Sequence, residues 1–338
     1  MSRSEAIEWR NWAANLPWHG RDWEDRVAFE TASYRSIHEH LLAARRRGDL
    51  RVYDFPLICV LRNEVERLPV FLDHYRKLGI TRFIMVDNQS DDGSHELLMS
   101  QDDVDLFVAH VPYMAGQGGI YWANGLAHAL CEGHWTLRVD VDELLVYDRM
   151  DKHDLPALAD WLQKQGRDRI LAPMCDVYPS TPLEGANGDI ARMLTQDCWF
   201  DREGYASEKW REGWHITGGP RERLFGQTHS IWLSKYPLFR MTSKITFLNT
   251  HYLWPFDRTL DPPRAALLHL KLLGDFIDRS KAYEYEGQHA MDSRAYRIAN
   301  AIIGARGSLS PHHEGSVRYE GPQSLIAADI MLPIDWNT

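Results

Sequence analysis

Between residues 56 and 148 the apolar positions of this chain change period several times, and each change marks an expected element. Residues 56–61 are an unbroken apolar run of buried-strand length. Leu68, Phe71, Leu72, Tyr75 and Leu78 then recur at the i, i+3, i+4, i+7 and i+10 positions of an amphipathic helix, which Gly79 closes. Strand, short helix, strand and helix are expected at residues 82–86, 94–99, 105–111 and 120–131. In the first half of residues 137–148, Leu137, Val139 and Val141 alternate with Arg138, Asp140 and Asp142, which predicts a strand with one apolar face. Strands alternating with helices predict an α/β chain whose parallel strands are joined by right-handed crossovers, and such sheets bind ligands at the carboxyl ends of their strands.

The regularity weakens after Asp148. A helix is expected at residues 155–165 and a strand at 169–173, followed by long loops rich in Gly, Pro and aromatic residues from 180 to 219. Residues 267–273 alternate again, placing His269 and Lys271 on one side, and a helix follows from Gly274. The adjacent His312 and His313 are expected in solvent. At the other end, Trp9, Trp12, Trp18 and Trp23 stand among charges ahead of a helical stretch from 27 to 47 that ends in Arg45-Arg46-Arg47-Gly48. The reading is a helical extension over residues 1–50 packed on the main domain with its arginines in solvent; the alternative is an arm on a membrane surface.

Composition narrows the class. A chain of 338 residues buries a full core without disulfides. Its 38 basic and 48 acidic residues give a net charge of −10 with no long run of either sign, so a nucleic-acid backbone is not an expected partner. Cys59, Cys131, Cys175 and Cys198 are far apart and form no CxxC pair, which points to a reducing compartment and no zinc site. Apolar runs fall well short of the roughly 20 residues that span a bilayer, so a cytoplasmic protein without a transmembrane segment is expected. Aromatic residues are 11% of the chain, including 13 tryptophans, enough for some to stack on flat sugar faces while most fill the core.

Three polar stretches fall where predicted strands end: Asn63-Glu64, residues 87–93, and residues 140–143. Asp140 and Asp142 share a strand face. At about 4 Å and an effective dielectric of about 20, two such charges repel by about 4 kcal/mol unless a cation lies between them. Mg²⁺ or Mn²⁺ suits oxygen ligands of this kind and keeps positions open for water and substrate phosphates. Arg221 and Arg223 follow the Gly218-Gly219-Pro220 turn and have the fork geometry that binds phosphate or carboxylate. His269 sits on an apolar element, where a satisfied core histidine is common, but a lysine on the same face is costly to bury and favours a functional role.

The motifs Arg62-Asn63-Glu64, residues 74–80, residues 87–93, Asp140-Val141-Asp142-Glu143, residues 218–225 and residues 267–271, taken in this order and spacing, resemble those of the family-2-like glycosyltransferases with the GT-A fold. The resemblance implies a mixed, mainly parallel sheet flanked by helices. Residues 51–150 would be the nucleotide-sugar-binding α/β half, and residues 151–338 the acceptor-side half with C-terminal elements. It implies a nucleotide-sugar donor with base and ribose near Asn63, Glu64, Asp87 and Asn88, and Asn124 on the helix after the donor loop. Asp140 and Asp142 match the metal-holding Asp-x-Asp motif, with His269 completing the metal shell. Donor phosphates would meet Asp140, Arg221, Arg223 and Lys271, while Asp176 and Glu222 are the candidate catalytic carboxylates.

The function so implied is metal-dependent transfer of a sugar, UDP-linked by expectation, to a saccharide, a lipid-linked acceptor or another hydroxyl group in surface-polysaccharide assembly. Without a spanning helix, a lipid-linked acceptor would be met by peripheral membrane contact. A sugar nucleotidyltransferase is one alternative, although the expected Gly-rich triphosphate loop is replaced by Arg62-Asn63-Glu64. A non-catalytic nucleotide-sugar-binding module is the other.

Overall fold

A computed structural model describes residues 23–185, 188–210, 213–226, 232–257, 259–287 and 293–338. Trp9, Trp12 and Trp18, and with them much of the expected N-terminal arm, lie outside the described residues. Among those described, a six-stranded sheet has at its centre β2 (Pro56–Leu61), β3 (Arg82–Asp87), β4 (Val104–Ala109) and β5 (Trp135–Arg138). β4, β3, β2 and β5 pair in parallel in that order. β1 (Leu41–Arg45) and β11 (Leu238–Arg240) close the two edges antiparallel. The expected α/β class with a mainly parallel central sheet flanked by helices is therefore observed.

The four central strands of this sheet are buried on both faces, as parallel strands usually are. Leu57, Cys59, Phe83 and Met85 face α2 (Leu68–Lys77), where Phe71 and Tyr75 are fully buried. Ile58, Ile84 and Val86 face α4 (Ile120–Leu130), which contributes Trp122, Ala123 and Leu126. Outside α4 lies α1 (Trp23–His40), and the two helices approach so closely that a Cβ on Gly125 would stand 2.7 Å from the Ser33 carbonyl. The expected helix over 27–47 is thus two elements. It stops at His40, and Leu41–Arg45 covers the otherwise bare edge of β4. Arg46 and Arg47 are exposed, as expected, and the three arginines at its end also stand near acids: Arg45 and Arg47 near Asp102, and Arg46 near Asp105.

A second, five-stranded sheet has the order β15 (Ser316–Arg318), β8 (Trp199–Asp201), β7 (Met174–Tyr178), β14 (Ala265–His269) and β6 (Glu143–Tyr147). Only β7 and β14 are parallel. The strand expected from the alternation of residues 137–142 consequently stops at Arg138. The chain leaves the first sheet after Arg138, turns with the Glu143 amide donating to the Asp140 carbonyl at 3.0 Å, and enters the second sheet at Glu143. Valines at 139 and 141 are buried through the turn, which preserved the alternation that suggested a single strand.

Other expectations also shift. The strand expected at 169–173 is displaced to β7: residues 169–173 form the isolated bridge of Arg169 to Phe239 and scattered backbone hydrogen bonds, such as those from the Ile170 and Ala172 amides to the Leu238 and Lys235 carbonyls, but no strand. Residues 180–219 hold α6 (Ile190–Gln196), β8 and a hairpin of β9 (Tyr205–Trp210) and β10 (Gly213–Gly218), not loops alone. β14 ends at His269, so Lys271 lies beyond the strand. His313 meets the buried carboxylate of Asp201 at 3.2 Å and His312 stands edge-on to Trp199, so neither is simply solvated.

Candidate active site

The carboxyl ends of β2, β3 and β5 open into a cavity of about 540 Å³. Arg62, Asn63 and Glu64 after β2, Asn88 after β3, and Asp140, Asp142 and Glu143 after β5 line one side. The other side is built by His269 and Lys271, by Arg279 and Tyr283 of α8 (Phe276–Glu286), and by Tyr296 of α9 (Arg294–Arg306). The three polar strand ends singled out in the sequence thus converge, as the topology of parallel strands requires.

Strand register sets the acidic centre. His269, at the end of β14, pairs with Glu143 across the antiparallel side and with Asp176 across the parallel side, so three ionisable side chains occupy one rung of the second sheet. His269 Nδ1 is 2.5 Å from Asp176 Oδ1, and its Nε2 is 3.5 Å from Asp142 Oδ2. Arg221 Nε donates to the other Asp176 oxygen at 2.8 Å. The Leu270 amide donates to the Asp142 carbonyl at 2.7 Å, tying the acidic turn to the end of β14.

These groups set one another's protonation. Burial alone would raise the Asp142 pKa, but His269 and Lys271 hold it well below the usual carboxylate range. Burial is likewise outweighed at Asp176, which Arg221 and His269 keep low. In the reverse sense, burial would lower the pKa of His269, and Asp142 and Asp176 hold it above the ordinary imidazole value. Glu143 behaves differently: burial raises its pKa, with Lys235 only partly offsetting this.

Ligand atoms of Asp142, Glu143 and His269 all lie within 4.8 Å of one another. Two carboxylates and an imidazole are a donor set that fits a divalent cation of the Mg²⁺ or Mn²⁺ kind. Asp140, the first residue of the acidic motif, is held instead by Lys235 at 2.8 Å, with Arg138 3.8 Å from its other oxygen.

Positive charge is concentrated opposite. Lys271 lies 3.8 Å from Asp142 and over the rings of Tyr283 and Tyr296, at 5.2 and 5.5 Å from their centroids. Arg279 reaches the Glu64 carboxylate, the Tyr283 hydroxyl and the Asn63 carbonyl. Arg67, buried beneath, chelates Asp275 at 2.7 and 2.8 Å. Burial raises the Glu64 pKa in spite of Arg279 and Arg67. Arg221 is 7% exposed, and its second terminal nitrogen is buried without a hydrogen-bond partner. His251 donates from Nδ1 to the Ser234 carbonyl at 3.0 Å, and burial beside Lys235 pushes its pKa down to about 3. A neutral imidazole anchored in this way presents Nε2 as an acceptor.

Of the residues named from sequence, Asn63, Glu64, Asn88, Asp140, Asp142, Arg221, His269 and Lys271 line this cavity. The Asn63 amide is committed to Asp91, which ties the first strand end to the second. The other five do not line it. Asp87 is buried behind the strand end, accepting from the Ser90 amide and from His95. Asn124 is fully buried between helices, donating to Ser33 Oγ and accepting from the Phe247 amide. Glu222 and Arg223 belong to a separate cavity, where Arg223 pairs with Asp201. Asp176 stands outside the cavity lining and is 1% exposed, accepting from His269 on one oxygen and from Arg221 on the other, so as arranged it positions His269.

Sequence reading missed Lys235, His251 and Arg279. Lys235 carries a signal in retrospect, as the sole charge in the apolar stretch from Trp232 to Phe239.

No family model and no curated protein matches the chain. Among solved structures, HddC from Yersinia pseudotuberculosis aligns at 8% identity and a TM-score of 0.28, covering 56% of this chain and 73% of that one. A 4-diphosphocytidyl-2C-methyl-D-erythritol synthase aligns at 8% identity and a TM-score of 0.25, covering 82% of this chain and 98% of that one. Likenesses at this level contribute nothing to the functional reading, which rests on the site itself. No helix among the described residues is long and apolar enough to cross a membrane.

Proposed function

We propose that this protein is a metal-assisted glycosyltransferase that takes a sugar from a nucleotide-sugar donor and gives it to a hydroxyl acceptor. The observation that carries the reading is the convergence of Asp142, Glu143 and His269 within 4.8 Å at the carboxyl edge of parallel strands, in a cavity that also holds Lys271 and Arg221. Departure of a sugar leaves negative charge on the diphosphate. A divalent cation held by Asp142, Glu143 and His269 would supply Lewis-acid stabilisation of that charge. Lys271 and the unpartnered nitrogen of Arg221 add fixed positive charge on the same side, already oriented and needing no rearrangement as charge develops. Asn63, Glu64 and Asn88 stand at the strand ends where the base and ribose would be held. UDP as the nucleotide, and a saccharide or lipid-linked acceptor in surface-polysaccharide assembly, remain part of the proposal through the sequence resemblance.

Thermal unfolding of wild type and Asp142→Ala against nucleoside diphosphates and sugar nucleotides, with and without Mn²⁺, tests this. A ligand at 100 times its dissociation constant adds about 2.7 kcal/mol. One diphosphate is expected to stabilise the wild type only with Mn²⁺, and the variant is expected to lose the effect. Absence of any ligand effect would sink the proposal. Release of nucleoside diphosphate from the sugar nucleotide that binds assigns transfer, whereas pyrophosphate exchange assigns nucleotidyl transfer instead.

A further inference from the structure

Lys235 is 3% exposed, and its ammonium lies between two carboxylates of the acidic turn. It donates to Asp140 Oδ2 at 2.8 Å and to Glu143 Oε1. The other oxygen of Glu143 accepts from the Asp140 amide at 3.1 Å. Both oxygens of Glu143, itself 1% exposed, are therefore engaged from within the protein. Yet Glu143 is one of the three residues whose ligand atoms cluster for a cation. The lysine backbone is fixed, since its carbonyl accepts from the Ala172 amide at 2.8 Å, so only the flexible side chain has room to yield.

We propose that Lys235 is an internal counter-ion of the acidic turn, and that a divalent cation binds by displacing its ammonium from Glu143. The ammonium and the metal then compete for one carboxylate. Without metal, Lys235 neutralises a turn whose carboxylates would otherwise repel one another. With metal, its positive charge opposes the incoming cation, so the affinity of the site is set lower than three such ligands would give. The inference rests on the divalent-cation reading above and adds to it a residue that limits metal affinity.

The test is Mn²⁺ titration, without nucleotide, of wild type, Lys235→Met, Lys235→Gln and Asp142→Ala, following free Mn²⁺ by electron paramagnetic resonance. Removing the competing charge should tighten binding by about tenfold or more in both lysine variants, and Asp142→Ala should abolish it. Equal or weaker Mn²⁺ binding in the folded lysine variants, with Asp142 still required, overturns the competition and leaves the metal reading standing. No Mn²⁺ binding in wild type or either lysine variant overturns both. A measurement on the wild type alone guards against variants that fail to fold: acylation of Lys235, read by peptide mass spectrometry, should rise severalfold with Mn²⁺. An unchanged rate overturns the displacement.

Discussion

His269 and Asp176 face each other on the same rung of two parallel strands, with Nδ1 and Oδ1 2.5 Å apart. The carboxylate fixes the ring so that Nε2 points toward Asp142, and Arg221 in turn fixes the carboxylate. A ligand histidine oriented by a buried acid is a common way to hold a metal-binding imidazole in one tautomer.

Asp176→Asn weakens that arrangement and leaves Arg221 buried without its counter-charge. Breaking one side of a buried pair costs about 3–5 kcal/mol, and urea denaturation should register a loss of this order. Mn²⁺ affinity should fall in parallel by about tenfold to a hundredfold, as it does when an outer partner of a metal ligand is removed. Unchanged affinity in a destabilised protein would make Asp176 a structural residue only.

Asn124→Ala separates helix packing from ligand binding. The substitution leaves the buried Phe247 amide without its acceptor, a loss of about 1–3 kcal/mol. Donor affinity should be unaltered in the folded fraction. A weakened donor with normal stability would restore the role that sequence resemblance gave this residue.

Glu222→Gln should leave turnover within about twofold of wild type, because Glu222 lines the cavity around Asp201 and Arg223 rather than the acidic centre. Steady-state kinetics with the sugar nucleotide identified by thermal unfolding checks this. A loss of about 10²-fold or more would be the signature of a general base and would reinstate it as one.

His74 gives a pH dependence remote from the cavity. It donates from Nε2 to the Leu145 carbonyl at 2.9 Å, and burial pushes its pKa down to about 4. An unfolded histidine titrates near pH 6.5, so between about 6.5 and 4 the unfolded chain binds more protons than the folded one. The contribution is present above pH 6.5 and lost as pH falls toward 4. His74→Gln should therefore flatten the decline of the urea midpoint across this window, and parallel profiles would disprove the assignment.

Much of the first half was legible because its physics is local. The amphipathic run of Leu68, Phe71, Leu72 and Tyr75 fixes a helix, and buried strands such as Pro56–Leu61 need only a short apolar run. Strand ends then fall at one edge by topology, which brings Asn63, Asn88 and Asp142 together. What failed was long-range. The turn after Arg138 is a change of sheet, and alternation continues across it unmarked. Lys235 stands more than 90 residues from the carboxylates it binds, with nothing in its neighbourhood to name them. Asn124 looked like a ligand residue because an asparagine on a helix has the same letter whether it meets a donor or the Phe247 amide.

The acidic turn is clamped by both sheets: the Arg138 amide donates to the Pro237 carbonyl at 2.8 Å on one side, and the Leu270 amide to the Asp142 carbonyl at 2.7 Å on the other. Facing it, the helix Phe276–Glu286 buries only Phe276 and Ser280. Floor and ceiling of the cavity thus differ in stiffness. The amides at the floor are expected to exchange with solvent only when two sheets part, whereas those of the ceiling need one helix, tied to the strand ends through Arg279, to lift. Entry to this site is therefore expected to follow the ceiling helix, while the charge-bearing floor keeps its place.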